Sequence, residues 1–90
     1  MDYEWDRAKE LANQQKHGVS FADAVIALED PLALTKLDAN GYQEVRFVSL
    51  GMDGCGRLLV TVFTHRGDRV RIISARPATP GERRQYESAT

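Results

Sequence analysis

A glycine–aspartate pair between two β-rich runs constrains the fold of this chain more than any other feature. Gly67-Asp68 separates the run from Leu58 to His65 from the run Arg69 to Arg76. A two-residue link of this kind favours a tight antiparallel hairpin. With the turn centred there, the expected pairing places Thr61 opposite Ser74. The chain is therefore expected to build an antiparallel sheet around this hairpin.

Helix signals stand on both sides of the β-rich region. Asp6 is a good N-cap for a helix from Arg7 to Lys16, and Gly18 is a good residue to end it. Ser20 caps a second helix, which stops at Glu29-Asp30-Pro31 because the residue before proline avoids the α region. The other segments predict strands over 2–5, 32–38 and 45–50, a type I′ turn at Asn40-Gly41, and a last helix opened by Thr79-Pro80 and running through Tyr86.

Length and composition indicate one small globular unit. The chain has 90 residues, 42% of them apolar and 28% charged, unlike a disordered or fibrous protein. A chain of this length forms a single core, so we expect one domain over residues 1–90. No apolar run is long enough to cross a bilayer and no secretory signal pattern is present. Cys55 is the only cysteine, so we expect no internal disulfide and a cytoplasmic protein without membrane contact.

Charge is divided unevenly along the chain. The net charge is −1, but residues 1–45 carry −5 and residues 46–90 carry +4. The second half has eight arginines and no lysine. Arginine presents a planar fork of donors that can grip a phosphate in two places. The asymmetry suggests a polyanionic partner, with an ordinary solvated surface as the alternative.

Side-chain alternation along the strands assigns the arginines to one face of the sheet. If Leu50 faces Arg57 across the glycine loop, the row Arg46–Thr61–Ser74 crosses three strands, with Arg76 one rung away. This face is a candidate groove for an anion, or else the solvated side of an antiparallel sheet. The polar face is expected to carry Glu44, Arg46, Arg57, Thr61, His65, Ser74 and Arg76. The apolar face, expected beneath the two N-terminal helices, carries Val45, Phe47, Leu58, Val60, Val62, Ile73 and Ala75.

A groove of this composition suits RNA cleavage, because RNA carries its own nucleophile in the 2′-hydroxyl. The reaction needs a base for that proton, cations for the crowded phosphate and an acid for the leaving oxygen. Glu44 is the best candidate base, and Arg46 and Arg76 are the best candidate phosphate clamps. His17 has a suitable intrinsic pKa for an acid or base, although a histidine before a helix-ending glycine is commonly structural. Tyr86 could stack on a base or pack in the core.

Other kinds of site have no support in the sequence. There is no phosphate-loop glycine motif, no pair of histidines at metal-ligand spacing and no nucleophile elbow. We therefore expect no metal site and no cofactor.

Several segments, in order along almost the whole chain, resemble the BrnT toxins of bacterial type II toxin–antitoxin modules. The pair Lys-His-Gly-Val-Ser-Phe over 16–21 and Arg-Ile-Ile-Ser-Ala-Arg over 71–76 is specific at this spacing. The other matching positions are Trp5-Asp6, Lys9, Asn13, Asp30-Pro31, Glu44-Val45-Arg46, Gly56-Arg57-Leu58-Leu59, Glu82 and Tyr86.

The resemblance implies a fold, an activity and a partner. The fold would be α+β and RelE-like, a four-stranded antiparallel sheet with two N-terminal helices packed on one face and a short C-terminal helix. The activity would be metal-free endoribonuclease cleavage that stops translation. The partner would be a BrnA-type ribbon-helix-helix antitoxin, with DNA contacted only through it. Carried over by position, the catalytic residues would be Glu44, Arg46, Arg76 and His17, and the RNA-binding residues Lys16, Arg57, Arg71, Arg83 and Tyr86.

Two other functions remain compatible with the sequence. One is a non-catalytic RNA- or protein-binding module on the same fold. The other is an inactive toxin kept as an antitoxin partner.

Overall fold

The computed structural model describes residues 1–39 and 44–89, so the turn predicted at Asn40-Gly41 lies outside the described residues. Most predicted elements are present within a residue or two of their expected ends. The elements are β1 (Asp2–Glu4), α1 (Arg7–His17), α2 (Phe21–Leu28), β2 (Leu34–Leu37), β3 (Arg46–Met52), β4 (Leu58–Arg66), β5 (Arg69–Pro77) and α3 (Pro80–Ala89).

Short-range hydrogen bonds explain where the helices begin and end. The Asp6 side chain accepts a hydrogen bond from the backbone N–H of Lys9, and Ser20 accepts one from Asp23. Gly18 ends α1 at a φ of 69°, a left-handed conformation that glycine adopts without strain. At α3, the predicted capping box forms, because Thr79 and Glu82 exchange side-chain-to-backbone hydrogen bonds of 2.8 and 3.2 Å. The three predicted caps are therefore confirmed.

The sheet has five strands in the order β1-β5-β4-β3-β2, and the expected four-strand sheet is wrong. The additional strand is β1, which pairs in parallel with the outer edge of β5 from Asp2 opposite Arg69 to Glu4 opposite Arg71. The alternating pattern at the start of the chain predicts a strand, but a local pattern does not specify a partner far away in sequence. The other neighbouring pairs are antiparallel, and the β4–β5 hairpin is confirmed.

The register between β3 and β4 differs from the predicted one, whereas the register between β4 and β5 is as predicted from the Gly67-Asp68 turn to Phe63 opposite Ile72 and differs beyond that pair. On one side Arg46 pairs with Thr64 rather than Thr61. On the other side a β-bulge at Val62/Phe63 moves the partner of Thr61 from Ser74 to Ala75. A bulge inserts one residue on one strand, and a three-residue change of register exchanges the faces of β3 relative to β4. The predicted pairing of faces is therefore wrong between β3 and β4, and between β4 and β5 it is wrong only on the far side of the bulge from the turn.

Helices cover both faces of the sheet, not one. The helices α1 and α2 pack over a core that contains Phe21, Leu59 and Ile72. The last helix packs on the other face, where Tyr86 joins Leu58 in a second cluster with Leu50 and Val60. The sequence predicts Leu58, Val60 and Val62 beneath the N-terminal helices, and that prediction is wrong.

The close approach of α2 to β3 shows which face of the sheet the N-terminal helices cover. A Cβ atom at Gly51 would lie only 2.2 Å from the carbonyl oxygen of Ala27. Gly51 pairs with Leu59, so the α2 side of the sheet is the side that carries Leu59. No described helix is long and apolar enough to cross a membrane.

Candidate nucleic-acid interface

Five arginines share the sheet face that points away from α1 and α2. Cross-strand pairs have their side chains on the same face of a sheet. Along β4, the side chains of Val60, Val62, Thr64 and Arg66 share one face, because side chains alternate along a strand. We call this surface the arginine face. Its five arginines are Arg46 and Arg71, which both pair with Thr64, Arg66 and its partner Arg69, and Arg76, which pairs with Val60. The prediction that Arg46 and Arg76 lie on the side away from the N-terminal helices is therefore confirmed.

Glu44 lies between two of these arginines. Its Oε1 atom is 3.9 Å from Nε of Arg46, and its Oε2 atom is 3.4 Å from Nη2 of Arg66. The first distance is too long for a hydrogen bond, and the buried Nε of Arg46 has no hydrogen-bond partner within residues 1–39 and 44–89. The Arg46 side chain as a whole is 39% exposed. The buried Nε cannot be reached by a ligand in this conformation, so an anionic ligand would contact the exposed part of the Arg46 side chain.

Glu4 forms a second cluster on the neighbouring strands. Its carboxylate accepts a 2.7 Å hydrogen bond from Nη1 of Arg71 and lies 3.6 Å from Nη1 of Arg69. The hydrogen bond from Arg71 is the main reason why the pKa of Glu4 falls below its usual value. Glu4 is thus a carboxylate shared between two arginines, like Glu44.

Arg76 is held more tightly than the others. Its Nη1 and Nη2 atoms each donate a 2.9 Å hydrogen bond to one oxygen of Glu82, and Nη1 also donates to the carbonyl oxygen of Pro77 at 3.2 Å. The hydrogen bond from Arg76 is the largest cause that lowers the pKa of Glu82, to about 2, against burial, which raises it. None of these three bonds uses Nε of Arg76. The edge formed by Nε and Nη2 therefore points a second fork of donors away from Glu82.

Arg46 and Arg76 lie too far apart to grip one phosphate in this conformation. Their β4 partners, Thr64 and Val60, are four residues apart, and the two arginines stand on opposite sides of β4. Strand geometry places their Cα atoms roughly 16 Å apart. Glu44 and Glu82 hold the two guanidinium groups in separate clusters. The prediction that Arg76 lies one rung from Arg46 is wrong, because the register on both sides of β4 differs from the expected one.

Arg57 does not lie on the arginine face, contrary to the sequence prediction. Its side chain donates to Asp53 at 2.8 Å, to Asp23 at 2.9 Å and to the carbonyl oxygen of Gly18 at 3.1 Å. These contacts join the loop between β3 and β4 to the junction of α1 and α2. The hydrogen bond to Asp53 is the largest cause of the raised pKa of Arg57. The contacts show a structural clamp at the helix side of the sheet.

Thr61 and His65 also lie on the helix side of the sheet. Thr61 pairs with Ala75 and His65 with Val70, so both face away from the arginine face. The His65 ring packs edge-on against Phe47 and Phe63, with centroids 5.3 and 5.8 Å apart. The prediction that these two side chains lie on the polar face is wrong, because the register of β4 with β3, and with β5 beyond the bulge, differs from the predicted one.

The remaining predicted site residues lie on helices. Lys16 and His17 end α1, in the layer opposite the arginine face. Arg83 is exposed on α3. Tyr86 is only 7% exposed, and its hydroxyl donates a 2.6 Å hydrogen bond to Asp30. Its ring is therefore part of the core and is not available to stack on a base in this conformation.

Glu4 and Glu82 are the site residues that sequence reasoning did not single out. The Thr79–Glu82 capping box was visible in the sequence, but the contact with Arg76 depends on the turn between β5 and α3. Glu4 meets Arg71 only because β1 joins the sheet beside β5. Among residues 1–39 and 44–89, no three His, Cys, Asp or Glu side chains are grouped so that they could hold a metal ion.

Comparison with known proteins identifies the family. A family model described as the ribonuclease toxin, BrnT, of a type II toxin–antitoxin system matches residues 5–82. The chain belongs to the BrnT family. Its structure is similar to the crystal structure of the Brucella abortus ribonuclease toxin BrnT, with 26% sequence identity and a TM-score of 0.66. That similarity covers 88% of this chain and 97% of the Brucella chain. No curated protein sequence matches the chain.

Membership of the BrnT family supports a toxin role and ribonuclease activity in general, and it implies an antitoxin partner and an RNA substrate. The structure brings the two BrnT-like segments, residues 16–21 and 71–76, together through Asn13. Asn13 is 8% exposed, and its side-chain amide donates to the carbonyl oxygens of Val19 and Ala75 at 3.0 and 2.8 Å. Its Oδ1 accepts from the N–H of Ala75 at 3.1 Å. Asn13 thus ties the segment that follows α1 to β5.

Proposed function

We propose that this BrnT family member is a metal-independent endoribonuclease that cleaves RNA at the arginine face and thereby stops translation. The observation that carries the proposal is the family match together with five arginines on one sheet face that share the carboxylates of Glu4, Glu44 and Glu82. A sheet whose polar face served only solubility would not need arginines clustered around shared carboxylates. The cytoplasm is the proposed location, because translation takes place there.

The charges of the arginine face favour a polyanion. Glu44 and Glu4 are each shared by two arginines, so each of these sets of three side chains carries one more positive than negative charge. A phosphate adds negative charge and can accept hydrogen bonds from the exposed guanidinium groups of the arginine face. An RNA strand could contact both clusters, because each nucleotide carries a phosphate.

The proposed reaction uses the 2′-hydroxyl of the RNA as nucleophile. Glu44 accepts the 2′-hydroxyl proton, and the 2′-oxygen attacks the adjacent phosphorus. The bond from phosphorus to the 5′-oxygen then breaks, and the leaving oxygen takes a proton from water. The products carry a 2′,3′-cyclic phosphate and a 5′-hydroxyl. Arg46 stabilises the additional negative charge on the phosphate oxygens in the transition state.

The other predicted residues take supporting roles in this proposal. Arg76 holds a neighbouring phosphate through its Nε–Nη2 edge, and Arg71 and Arg83 guide the RNA backbone. His17 and Lys16 lie in the opposite layer, so we assign them no step at this phosphate. Tyr86 and Arg57 act through the fold, because their side chains are engaged in the core and in the clamp.

The proposed partner is a ribbon-helix-helix antitoxin of the BrnA type that binds the toxin and neutralises it. The toxin contacts DNA only through this antitoxin. The family match implies an antitoxin in general, and the ribbon-helix-helix type is part of the proposal.

The decisive experiment incubates the purified protein with RNA in EDTA. We expect cleavage by the wild type, loss of at least about 100-fold in rate for Arg46→Ala, and no change for Arg7→Ala. Arg7 is a matched control because it is an exposed arginine at the start of α1, in the opposite layer. The stability of Arg46→Ala should stay within about 1 kcal/mol of the wild type, because the side chain is largely at the surface.

Two results would contradict the proposal. Cleavage that stops in EDTA and returns with Mg²⁺ would show a metal-dependent enzyme. Intact RNA together with a salt-sensitive gel shift would show a non-catalytic RNA-binding module.

A further inference from the structure

We infer that the cleft between α3 and strands β2 to β4 is a binding subsite for one unpaired base of the RNA. The inference rests on the proposed function and adds a determinant of cleavage specificity to it. The cleft has a volume of about 180 Å³. Its floor is apolar and is formed by Leu34, Val48, Leu50 and Val60.

Three of the four floor residues and Arg76 belong to one row across the sheet. Arg76 pairs with Val60, Val60 with Leu50, and Leu50 with Leu34. Neighbouring strands are about 4.8 Å apart, so the row places the backbone of Val60 about 5 Å and that of Leu50 about 10 Å from the backbone of Arg76. These are distances that separate a phosphate from the base of the same or the next nucleotide. The row therefore places the phosphate-binding arginine at one end of an apolar floor.

Glu82 connects the arginine and the cleft directly. Its carboxylate binds Arg76 through two 2.9 Å hydrogen bonds, and the same residue lines the cleft. A phosphate on the Nε–Nη2 edge of Arg76 would lie beside the cleft and not across the molecule from it. This adjacency selects the base of a bound RNA strand as the occupant.

The rim of the cleft carries groups that can distinguish one base from another. Gln85 offers an amide that both donates and accepts hydrogen bonds, and Lys36 offers a donor from the opposite side. No aromatic ring is among the described residues that line the floor, so a base would be held there by apolar contact and identified by these rim groups. Recognition of single unpaired bases by their polar edges is the usual way in which proteins read RNA sequence.

The first test is direct binding and does not need catalysis. NMR spectra of the wild type are recorded with each of the four nucleoside 5′-monophosphates and with ribose 5-phosphate, which has the phosphate and sugar but no base. We expect one nucleotide to shift the methyl signals of Leu34, Val48 and Leu50 and the amide signal of Gln85 most strongly. Ribose 5-phosphate should leave these signals in place. If all five compounds give the same methyl and Gln85 spectra, the inference is overturned.

The second test maps cleavage sites on a long RNA by sequencing. Gln85→Glu replaces the rim amide with a carboxylate, and Gln15→Glu makes the same change on exposed α1, in the opposite layer. We expect Gln85→Glu to lower kcat/KM at the preferred base by about tenfold and to change the base preference, because a mispaired polar edge is poorly tolerated. Gln15→Glu should cut like the wild type.

The outcomes separate this inference from the proposed function. If the wild type does not cleave RNA, the proposed function fails, and the nucleotide spectra still decide the inference. If cleavage occurs and Gln85→Glu keeps the wild-type preference and rate, the inference alone is wrong. A fall in antitoxin affinity for Gln85→Glu without a change in base preference would assign the cleft to the protein partner and would also overturn it.

Discussion

Single residues of the arginine face are held to very different degrees. Arg76 makes three hydrogen bonds and is fixed against α3, whereas Nε of Arg46 has no hydrogen-bond partner among the described residues and lies 3.9 Å from Glu44. The first arginine is thus already oriented before any ligand arrives. The second is held loosely, and its side chain is 39% exposed. Replacing Arg46 should therefore affect RNA chemistry more than folding, while the Arg76–Glu82 pair affects both.

Glu82 makes the stability of the fold depend on pH in a defined range. Its pKa is about 2 in the folded protein against an ordinary value of 4.5. A lowered folded-state pKa means that the pair stabilises the fold above about pH 4.5 and that this contribution is lost as the pH falls towards 2. Between pH 6 and pH 3, urea unfolding should show that the wild type loses more stability than Glu82→Gln, by about 2 kcal/mol. Equal losses in the two proteins would show that the pair contributes nothing.

Asn13 is the residue whose loss should cost most stability outside the apolar core. Its side chain satisfies three backbone groups at Val19 and Ala75 from a buried position. Asn13→Ala leaves these groups without partners, so we expect a loss of about 3 kcal/mol in the free energy of unfolding. Gln15→Ala, an exposed change on the same helix, should stay within about 0.5 kcal/mol. Similar values for both variants in urea unfolding would refute this role of Asn13.

At the scale of elements, features that depend on residues close in sequence are predicted correctly. Features that depend on partners far away in sequence are not. The caps at Asp6, Ser20 and Thr79 and the hairpin at Gly67-Asp68 depend on three or four consecutive residues, and they form as expected. The registers on either side of β4 depend on a glycine-containing loop and on a bulge whose position no local pattern reveals. The sequence therefore predicts the correct face for Arg46 and Arg76 but the wrong rows, and it places Arg57 on that face wrongly.

The packing of α2 on β3 should depend on the absence of a side chain at Gly51. An added Cβ would meet the carbonyl oxygen of Ala27 at 2.2 Å, which neither backbone can relieve without moving. We expect Gly51→Ala to lower the free energy of unfolding by about 3 kcal/mol or more.

Gly54→Ala is the matched control for this prediction, because its Cβ would lie 3.8 Å from the flexible end of Ile26, an ordinary contact distance. Thermal unfolding of the two variants tests the difference. A Gly51→Ala protein as stable as Gly54→Ala would contradict the close approach of α2 to β3.

At the scale of the whole molecule, the fold separates charges that the net value of −1 conceals. Five of the eight arginines in residues 46–90 lie on one face of the sheet, and Arg57 is taken up by a clamp in the opposite layer. The two sides of the sheet therefore have separate tasks in this account. The α1–α2 side holds the main core, and the other side presents arginines beside an apolar cleft. This division is the central claim, because both the proposed cleavage and the base subsite depend on it.

The most direct measurement is an NMR footprint of a short RNA that carries 2′-O-methyl groups and cannot be cleaved. The account predicts the largest shifts for the Arg46 and Arg76 side-chain Nε–H signals and for the methyl groups of Val48 and Val62, which lie between them. The methyl groups of Leu11 and Ala22, exposed on α1 and α2, should not move. Shifts confined to α1 and α2, with the signals of the arginine face unchanged, would contradict the account.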